Sequence, residues 1–118
     1  MQDLHAVQGA LFDIVDIARE IRAEAAYAHE GHTARTLIRE ADLRILLVVM
    51  RAGSIMKEHR VAETASIHAV TGHVRLHLPD RVADLSTGRL LVLEPGLPHD
   101  VEALQESTLL LTLGRRKA

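Results

Sequence analysis

Residues 88–103, GRLLVLEPGLPHDVEA, carry most of the information about how this chain folds. They contain a glycine turn, a short apolar strand, a Pro-Gly kink and a second strand that begins at His99. Upstream, residues 53–72, GSIMKEHRVAETASIHAVTG, have a similar order: a glycine precedes His59 by six positions and another glycine closes the segment. The two segments together predict a small β structure in which two histidines point toward one interior space.

The chain around these segments consists of short apolar and β-branched runs separated by turn residues. These runs are residues 36–38, 43–50, 55–60, 64–70, 73–78, 82–85, 89–93, 99–103 and 108–113. The run at 43–50, LRILLVVM, is almost continuously apolar, which is typical of a strand covered on both faces. Many short strands with no helices between them predict an all-β antiparallel sandwich or barrel, and we assign residues 33–118 to this domain.

The N-terminal region has a different period. Over residues 3–26 the apolar positions fall on one stripe of a helix with 3.6 residues per turn. They are Leu4, Val7, Leu11, Ile14, Val15, Ala18 and Ile21. Asp3 is the predicted N-cap, and residues 1–32 are assigned to this amphipathic helix and the linker that follows it. Either the outside of the sheet or a second copy of the chain must cover the stripe.

Composition excludes several classes of function. The net charge of −2 provides no basic field for nucleic acid, and Phe12 and Tyr27 are too few aromatic residues for a base-stacking surface. The absence of cysteine excludes disulfides, thiolate metal sites and thiol nucleophiles. Asp13, Asp16 and Arg19 interrupt the N-terminal apolar stripe, so it is neither a signal peptide nor a membrane span. We therefore expect a cytoplasmic protein with no nucleic-acid or membrane partner.

The upstream segment resembles the first signature motif of the cupin superfamily, whose members are small jelly-roll proteins. That motif places a glycine, five residues, His-x-His, a glutamate shortly after and a closing glycine. Gly53, His59 and Gly72 match it, whereas Val61 and Ala65 occupy the positions of the second histidine and the glutamate.

The downstream segment resembles the second cupin motif, which places a glycine, five residues, Pro-x-Gly, two residues, a histidine and an asparagine four positions later. Gly88, Gly96 and His99 match it, while Glu94 replaces the proline and Ala103 replaces the asparagine. The two motifs occur in order, and the resemblance covers residues 33–114. It implies a cupin-like jelly-roll barrel, here preceded by the N-terminal amphipathic helix.

The resemblance also implies a candidate metal centre. In metal-binding cupins the matching positions, His59 and His99, would be ligands of a divalent ion such as Fe, Mn, Zn or Ni. Two imidazoles are fewer than the three or so protein ligands of catalytic zinc and iron sites, so a third donor would have to come from elsewhere. The candidates are His68, Glu63, His77 and Glu102. His68 lies three positions from Ala65, so strand alternation turns it toward the opposite face.

The spacing of the residues predicts a pocket independently of the resemblance. Side chains alternate along a strand, so each histidine shares a face with apolar neighbours that mark the face as interior. A buried imidazole is costly unless it is hydrogen-bonded, bound to metal or open to water, which favours a ligand pocket at this place. The predicted lining residues are His59, Val61, Ala65, His99, Val101 and Ala103.

Three functions remain open at this point. The first is binding of a small molecule in that pocket, with no assigned reaction and no certain cofactor. The second is a metal-dependent enzyme of the oxygenase, isomerase or lyase kind, as many cupins are. The third is a structural or partner-binding protein. We expect a homodimer in each case, because a second copy would cover the helix stripe and the outer face of residues 43–50.

Overall fold

The computed structural model describes residues 9–115, except for the side chains of Glu58 and His59. Within this range the chain forms two helices and nine strands. The helices are α1 (Ile14–Arg22) and α2 (Ala25–Glu30); the strands are β1 (His32–Arg39), β2 (Leu43–Met50), β3 (Ile55–His59), β4 (Ala65–Thr71), β5 (His73–His77), β6 (Val82–Ser86), β7 (Leu90–Leu93), β8 (His99–Ala103) and β9 (Ser107–Gly114). The chain is mainly β, as the sequence predicts, and the predicted strands at 43–50 and 99–103 coincide with β2 and β8.

The strands form two antiparallel sheets. The five-stranded sheet has the order β1-β2-β9-β4-β7, and the four-stranded sheet has the order β3-β8-β5-β6. The chain passes repeatedly from one sheet to the other, which is the jelly-roll arrangement. The sheets are not joined into one cylinder: no strand ladder links them within residues 9–115, so the predicted barrel is an open two-sheet jelly roll.

The main hydrophobic core lies between the two sheets. Alternation along each strand directs one set of side chains inward, and none of the buried members is more than 3% exposed. They are Val48, Met50, Ile67, Ala69, Val74, Leu76, Leu85, Leu93, Val101, Ala103 and Leu109. The sheets are therefore held together mainly by side-chain packing, since no strand ladder joins them within the described residues.

One end of the jelly roll, which we call the closed end, is sealed where Gly72 meets Ser107. Gly72 has φ +89°, and a Cβ atom placed on it would lie 2.7 Å from the Cα of Ser107 and closer still to the Ser107 hydroxyl and the Glu106 carbonyl. The Ser107 hydroxyl accepts a hydrogen bond from the amide of His73 at 3.0 Å. Only glycine allows the backbone segments to approach this closely.

The N-terminal helix differs from the prediction. Helix α1 begins after Asp13, whose carboxylate accepts a hydrogen bond from the amide of Asp16, and residues 9–13 are not helical. The predicted N-cap Asp3 and the stripe positions Leu4 and Val7 lie outside the described residues. Gly9 has φ +75°, which is incompatible with a continuing right-handed helix. No helix within residues 9–115 is long and apolar enough to cross a membrane.

The predicted linker contains the second helix, α2, which ends at Gly31. Both helices pack on the outer face of the five-stranded sheet and form a second hydrophobic cluster. Its buried members are Ala18, Ile21, Tyr27, Leu37, Leu47 and Val49. Of the stripe residues that the structure describes, the sheet buries Ala18 and Ile21 within the same chain, whereas Leu11 is 95% exposed and Val15 is 66% exposed.

This outer cluster bears on the expected homodimer. The side chains of β2 alternate between the inner core and the outer cluster, so both faces of the strand are already covered within one chain. One reason for expecting a second copy is thereby removed. The dimer itself stays a prediction.

Candidate functional site

The two motif histidines lie on neighbouring strands. β3 pairs with β8, and His59 is the Cα register partner of His99. A register shift between Met56 and His59 inserts an extra residue into β3, as in a β-bulge. Met56 opposite Val101 and His59 opposite His99 are thus both in cross-strand positions although three residues separate them along β3. The backbone brings together the pair of positions that the sequence singles out.

Of the two motif histidines, His99 is the one whose side chain the structure describes. It is buried, with 3% of its surface exposed. Its Nδ1 lies 3.0 Å from the carbonyl oxygen of Leu97. A carbonyl only accepts hydrogen bonds, so Nδ1 carries a proton and donates it. In the neutral imidazole Nε2 is then the nitrogen that can accept a hydrogen bond.

The other predicted lining residues are placed in three settings. Val101 and Ala103 of β8 are each 1% exposed and belong to the packed core between the sheets. Ala65 begins β4, is 6% exposed and has Leu93 and Leu113 as its register partners. Val61 follows β3, and its carbonyl accepts a hydrogen bond from the amide of Gly96 at 2.7 Å, which ties together the loops that precede β4 and β8.

The candidate third metal donors lie in several different parts of the fold. His68 is on the face of β4 opposite to its buried residues, as strand alternation predicts. His77 and Glu102 lie on the outer face of the four-stranded sheet, and Glu63 lines a groove with three arginines. Among the residues whose side chains the structure describes, no group of three or more His, Asp or Glu could hold a metal ion.

The motif positions alone do not complete the metal centre implied by the sequence resemblance. Val61 and Ala65 carry no donor atom, so His59 and His99 could supply two imidazoles at most. Catalytic zinc and non-haem iron sites use about three protein ligands. A third donor would have to come from another part of the chain, and we assign no chemical step to a metal.

The outer face of the four-stranded sheet carries a separate set of charged pairs. His77 Nδ1 lies 2.5 Å from the Asp100 carboxylate. The Nε of Arg75 donates a hydrogen bond to Asp84 at 3.0 Å, and this bond holds the pKa of the Asp84 carboxyl below its usual value. These contacts place His77 and Asp100 in a surface network on the side of the sheet that faces away from the core.

A cleft opens at the end of the jelly roll opposite the closed end, which we call the open end. Its volume is about 640 Å³. The lining residues are Thr64, Leu78, Pro79, Asp80, Arg81, Leu91, Val92, Leu93, Glu94 and Leu97. Leu97, whose carbonyl accepts the hydrogen bond of His99, is one of them, whereas His99 itself is buried and does not line the cleft.

Sequence reasoning missed the cleft residues. They come from three separate parts of the chain: the start of β4, the turn between β5 and β6, and the segment from β7 to Leu97. Leu91 and Leu93 alternate with Val92 along β7, which indicates that they face inward. That alternation was a signal in the sequence. The convergence of the three segments was not, because it depends on how the two sheets are stacked.

No protein-family model matches the sequence, and no curated protein matches it. Solved structures do match the fold. A cupin superfamily protein from Desulfitobacterium hafniense has a TM-score of 0.74 at 14% identity, covering 97% of each chain. A conserved protein of unknown function from Streptococcus pyogenes has a TM-score of 0.72 at 18% identity, covering 97% of this chain and 94% of the other.

The fold also matches part of a larger enzyme. Salicylate 1,2-dioxygenase from Pseudoaminobacter salicylatoxidans has a TM-score of 0.76 at 16% identity, covering 96% of this chain but 36% of the enzyme chain. Identities at this level carry information on architecture and not on activity. Taken with the two sheets, their strand order and the paired motif histidines, these similarities show that the chain has the cupin jelly-roll fold.

Proposed function

We propose that this protein binds a small organic molecule at the open end of its jelly roll, beside His59 and His99. The observation that carries the proposal is the register pairing of these two histidines across β3 and β8. Residues directly opposite each other in an antiparallel pair present their side chains to the same face. The His99 side chain is buried on the inner face, so a ligand that reaches it would also lie close to β3 at position 59.

The cleft supplies the space for such a ligand. A volume of about 640 Å³ lies within the range of about 300–1,000 Å³ that is usual for small-molecule sites. Four leucines form an apolar wall, and Thr64, Asp80, Arg81 and Glu94 add polar groups around it. An apolar wall with a few polar groups is the usual composition of a ligand site. The ligand space in this proposal therefore lies beside His99 and Leu97, since Val101 and Ala103 are packed in the core.

A screen with isotope-labelled protein tests this proposal. We expect at least one compound from a library of small carboxylic acids, sugars and heteroaromatic molecules to shift the backbone amide signals of Leu91 and Leu97. His99→Ala should weaken its binding at least tenfold, because a buried hydrogen-bonding side chain is lost. His68→Ala, on the outer face of β4, is the matched control and should bind as the wild type does. Amide signals that shift only outside the cleft, or equal binding by both variants, would contradict the proposal.

The second candidate is a metal-dependent cupin enzyme. The contact that favours it is the hydrogen bond from His99 Nδ1 to the Leu97 carbonyl, since metal-binding histidines commonly donate their second N–H to such an acceptor. Elemental analysis of untagged protein after metal-supplemented expression separates the two candidates. About one equivalent of Fe, Mn, Zn or Ni that is lost in His99→Ala would favour the enzyme. Less than about a tenth of an equivalent would remove it, because three-ligand sites hold such ions tightly.

A further inference from the structure

A second groove at the open end is lined by three arginines. Its volume is about 270 Å³. The lining residues are Arg39, Arg44, Val61, Glu63, Leu113 and Arg115. Three guanidinium groups and one carboxylate leave an excess of two positive charges around this small space. The groove shares none of its lining residues with the cleft beside Leu97.

The strand register explains why the arginines converge. Arg39 of β1 is the register partner of Arg44 of β2, and Arg44 is the partner of Leu113 of β9. Along β2, Val48 and Met50 face the inner core. Arg44 is an even number of residues away from both, so it lies on the same face of the strand. The two arginines therefore occupy neighbouring positions in one row across the open end of the five-stranded sheet. Like charges directly opposite each other in a strand pair are destabilising.

Arg115 is held against the same place by the turn between β1 and β2. Its amide donates a hydrogen bond to the Asp42 carbonyl at 3.0 Å, and its Nη1 donates one to the Glu40 carbonyl at 2.9 Å. Both acceptors are neutral backbone carbonyls, so the charge of Arg115 is not neutralised by these contacts. The third guanidinium is thereby fixed next to the pair on β1 and β2.

The fold provides little to offset this concentration of charge. Within the described side chains neither Arg39 nor Arg44 forms a salt bridge, and the Nε of Arg44 is buried without a hydrogen-bond partner. Glu40 and Asp42 in the adjacent turn form no salt bridge with these arginines either, and Oε2 of Glu40 is itself buried without a hydrogen-bond partner. A buried donor without a partner costs free energy, and native proteins contain few such groups. The excess positive charge around the groove favours a partner that accepts hydrogen bonds and carries negative charge.

We propose that this groove binds a small oxyanion, either a phosphate group or a carboxylate group. A guanidinium presents several N–H donors in a fixed plane that matches two oxygens of either group, which makes arginine the preferred side chain for both. The groove lies near the lower end of the usual size range of ligand sites, which favours a compact ligand such as a phosphomonoester or a short dicarboxylate. This site does not depend on His59 or His99 and goes beyond the function proposed above.

Two probes distinguish the sources of the oxyanion: inorganic phosphate and succinate, each titrated by calorimetry in low-salt Tris buffer. At least one should bind the wild-type protein, and the same probe should shift the backbone amide signals of Val61 and Leu113. Arg44→Gln should weaken its binding at least tenfold, because a charge-assisted hydrogen bond is lost. Arg39→Gln, at an exposed position where misfolding is not expected, should also weaken it severalfold.

Arg89→Gln is the matched control, since Arg89 is exposed and lies outside the groove. It should leave binding unchanged. The proposal is overturned if neither probe binds, if the shifted amides lie elsewhere, or if Arg39→Gln and Arg89→Gln bind equally well. A probe that binds His99→Ala as tightly as the wild type supports an anion site separate from the histidine pair. A probe whose binding is lost in His99→Ala but kept in Arg44→Gln belongs to the proposed histidine site and overturns the arginine site.

Discussion

The two ends of the jelly roll are built in opposite ways. At the closed end the backbone around Gly72 and Ser107 is in direct contact, and Arg22 of α1 donates hydrogen bonds to the Ser107 carbonyl and the Thr108 hydroxyl at 3.1 and 2.7 Å. At the open end the same sheets separate, leaving a cleft and a groove whose charged side chains include an unpartnered donor on Arg44.

We therefore expect the residues that stabilise the fold to lie at the closed end and those that bind a ligand to lie at the open end. The closed end is held by close backbone contact and by the hydrogen bonds of Arg22, so we expect substitutions there to lower the free energy of unfolding. The open end keeps uncompensated positive charge, so substitutions there should change binding more than folding. Natural proteins commonly accept such local costs where a ligand completes the site.

The largest expected effect is that of Gly72→Ala at the closed end. The new Cβ would require a strained positive φ and would collide with the backbone of residues 106 and 107. We expect the free energy of unfolding to fall by about 2–5 kcal/mol, from backbone strain and overpacking together. Urea denaturation followed by circular dichroism measures this change.

Gly88→Ala is the control for that measurement. Gly88 has φ +90°, but a Cβ placed on it meets no atom within 4 Å. Its free energy of unfolding should fall by about 1 kcal/mol, because of the conformational strain alone. If the two variants lose the same amount, close packing at Gly72 does not contribute and the closed end is not special.

A smaller effect of opposite sign is expected for Arg44→Met at the open end. The substitution removes the like-charge pair with Arg39 and the buried unpartnered Nε while retaining an apolar stem. In Tris buffer without phosphate or carboxylate, we expect the free energy of unfolding to rise by about 0.5–1 kcal/mol. Arg89→Met, at an exposed position, should stay within about 0.5 kcal/mol of the wild type. A clear loss of stability in Arg44→Met would show that Arg44 has a structural role.

The smallest expected effect is on the pKa of Tyr27. This residue packs at the closed end, and its hydroxyl donates a hydrogen bond to Glu106 at 3.0 Å. Burial, followed by this hydrogen bond, raises the pKa of the phenol above its ordinary value of 10.0. The protonated phenol therefore adds to the free energy of unfolding below pH 10. This contribution is lost as the pH rises through the pKa that Tyr27 has in the folded state. Tyr27 is the only tyrosine and the chain has no tryptophan, so absorbance at 295 nm follows this group alone.

In Glu106→Gln the pKa of Tyr27 should fall toward 10.0 but remain raised, because burial is the larger cause. A wild-type phenol that titrates at or below 10.0 would show that the helices do not bury Tyr27 against the sheet. That result would weaken the picture of a closed end on which the helices pack closely.

The sequence predicted most of the β structure because its signals are local. The apolar run at 43–50 and the glycine turns around His99 each specify a strand and its ends, and the structure agrees at both. The predicted helix over residues 3–26 was wrong at residues 9–13, which are not helical, and the observed α1 begins at Ile14. The apolar period continues through these positions, so it does not show that the helix is interrupted there.

The open end was predictable only in part. The motif histidines were located from glycine spacing, and their cross-strand pairing agrees with that reasoning. The arginine groove had a partial signal, since Arg39 and Arg44 flank the short turn of one hairpin and could have been recognised as neighbours. Arg115 joins them from the far end of the chain. That contact, like the cleft, depends on the stacking of the sheets and leaves no local pattern.

The position of β9 has a consequence for how this chain folds. β9 is the last strand in sequence, yet it lies in the middle of the five-stranded sheet, between β2 and β4. The hairpin of β1 and β2 therefore cannot join β4 and β7 until residues 107–114 have been synthesised and have closed long loops. During translation the sheet would exist as two separate parts with unpaired edges, and its completion would have to wait for the final strand to leave the ribosome.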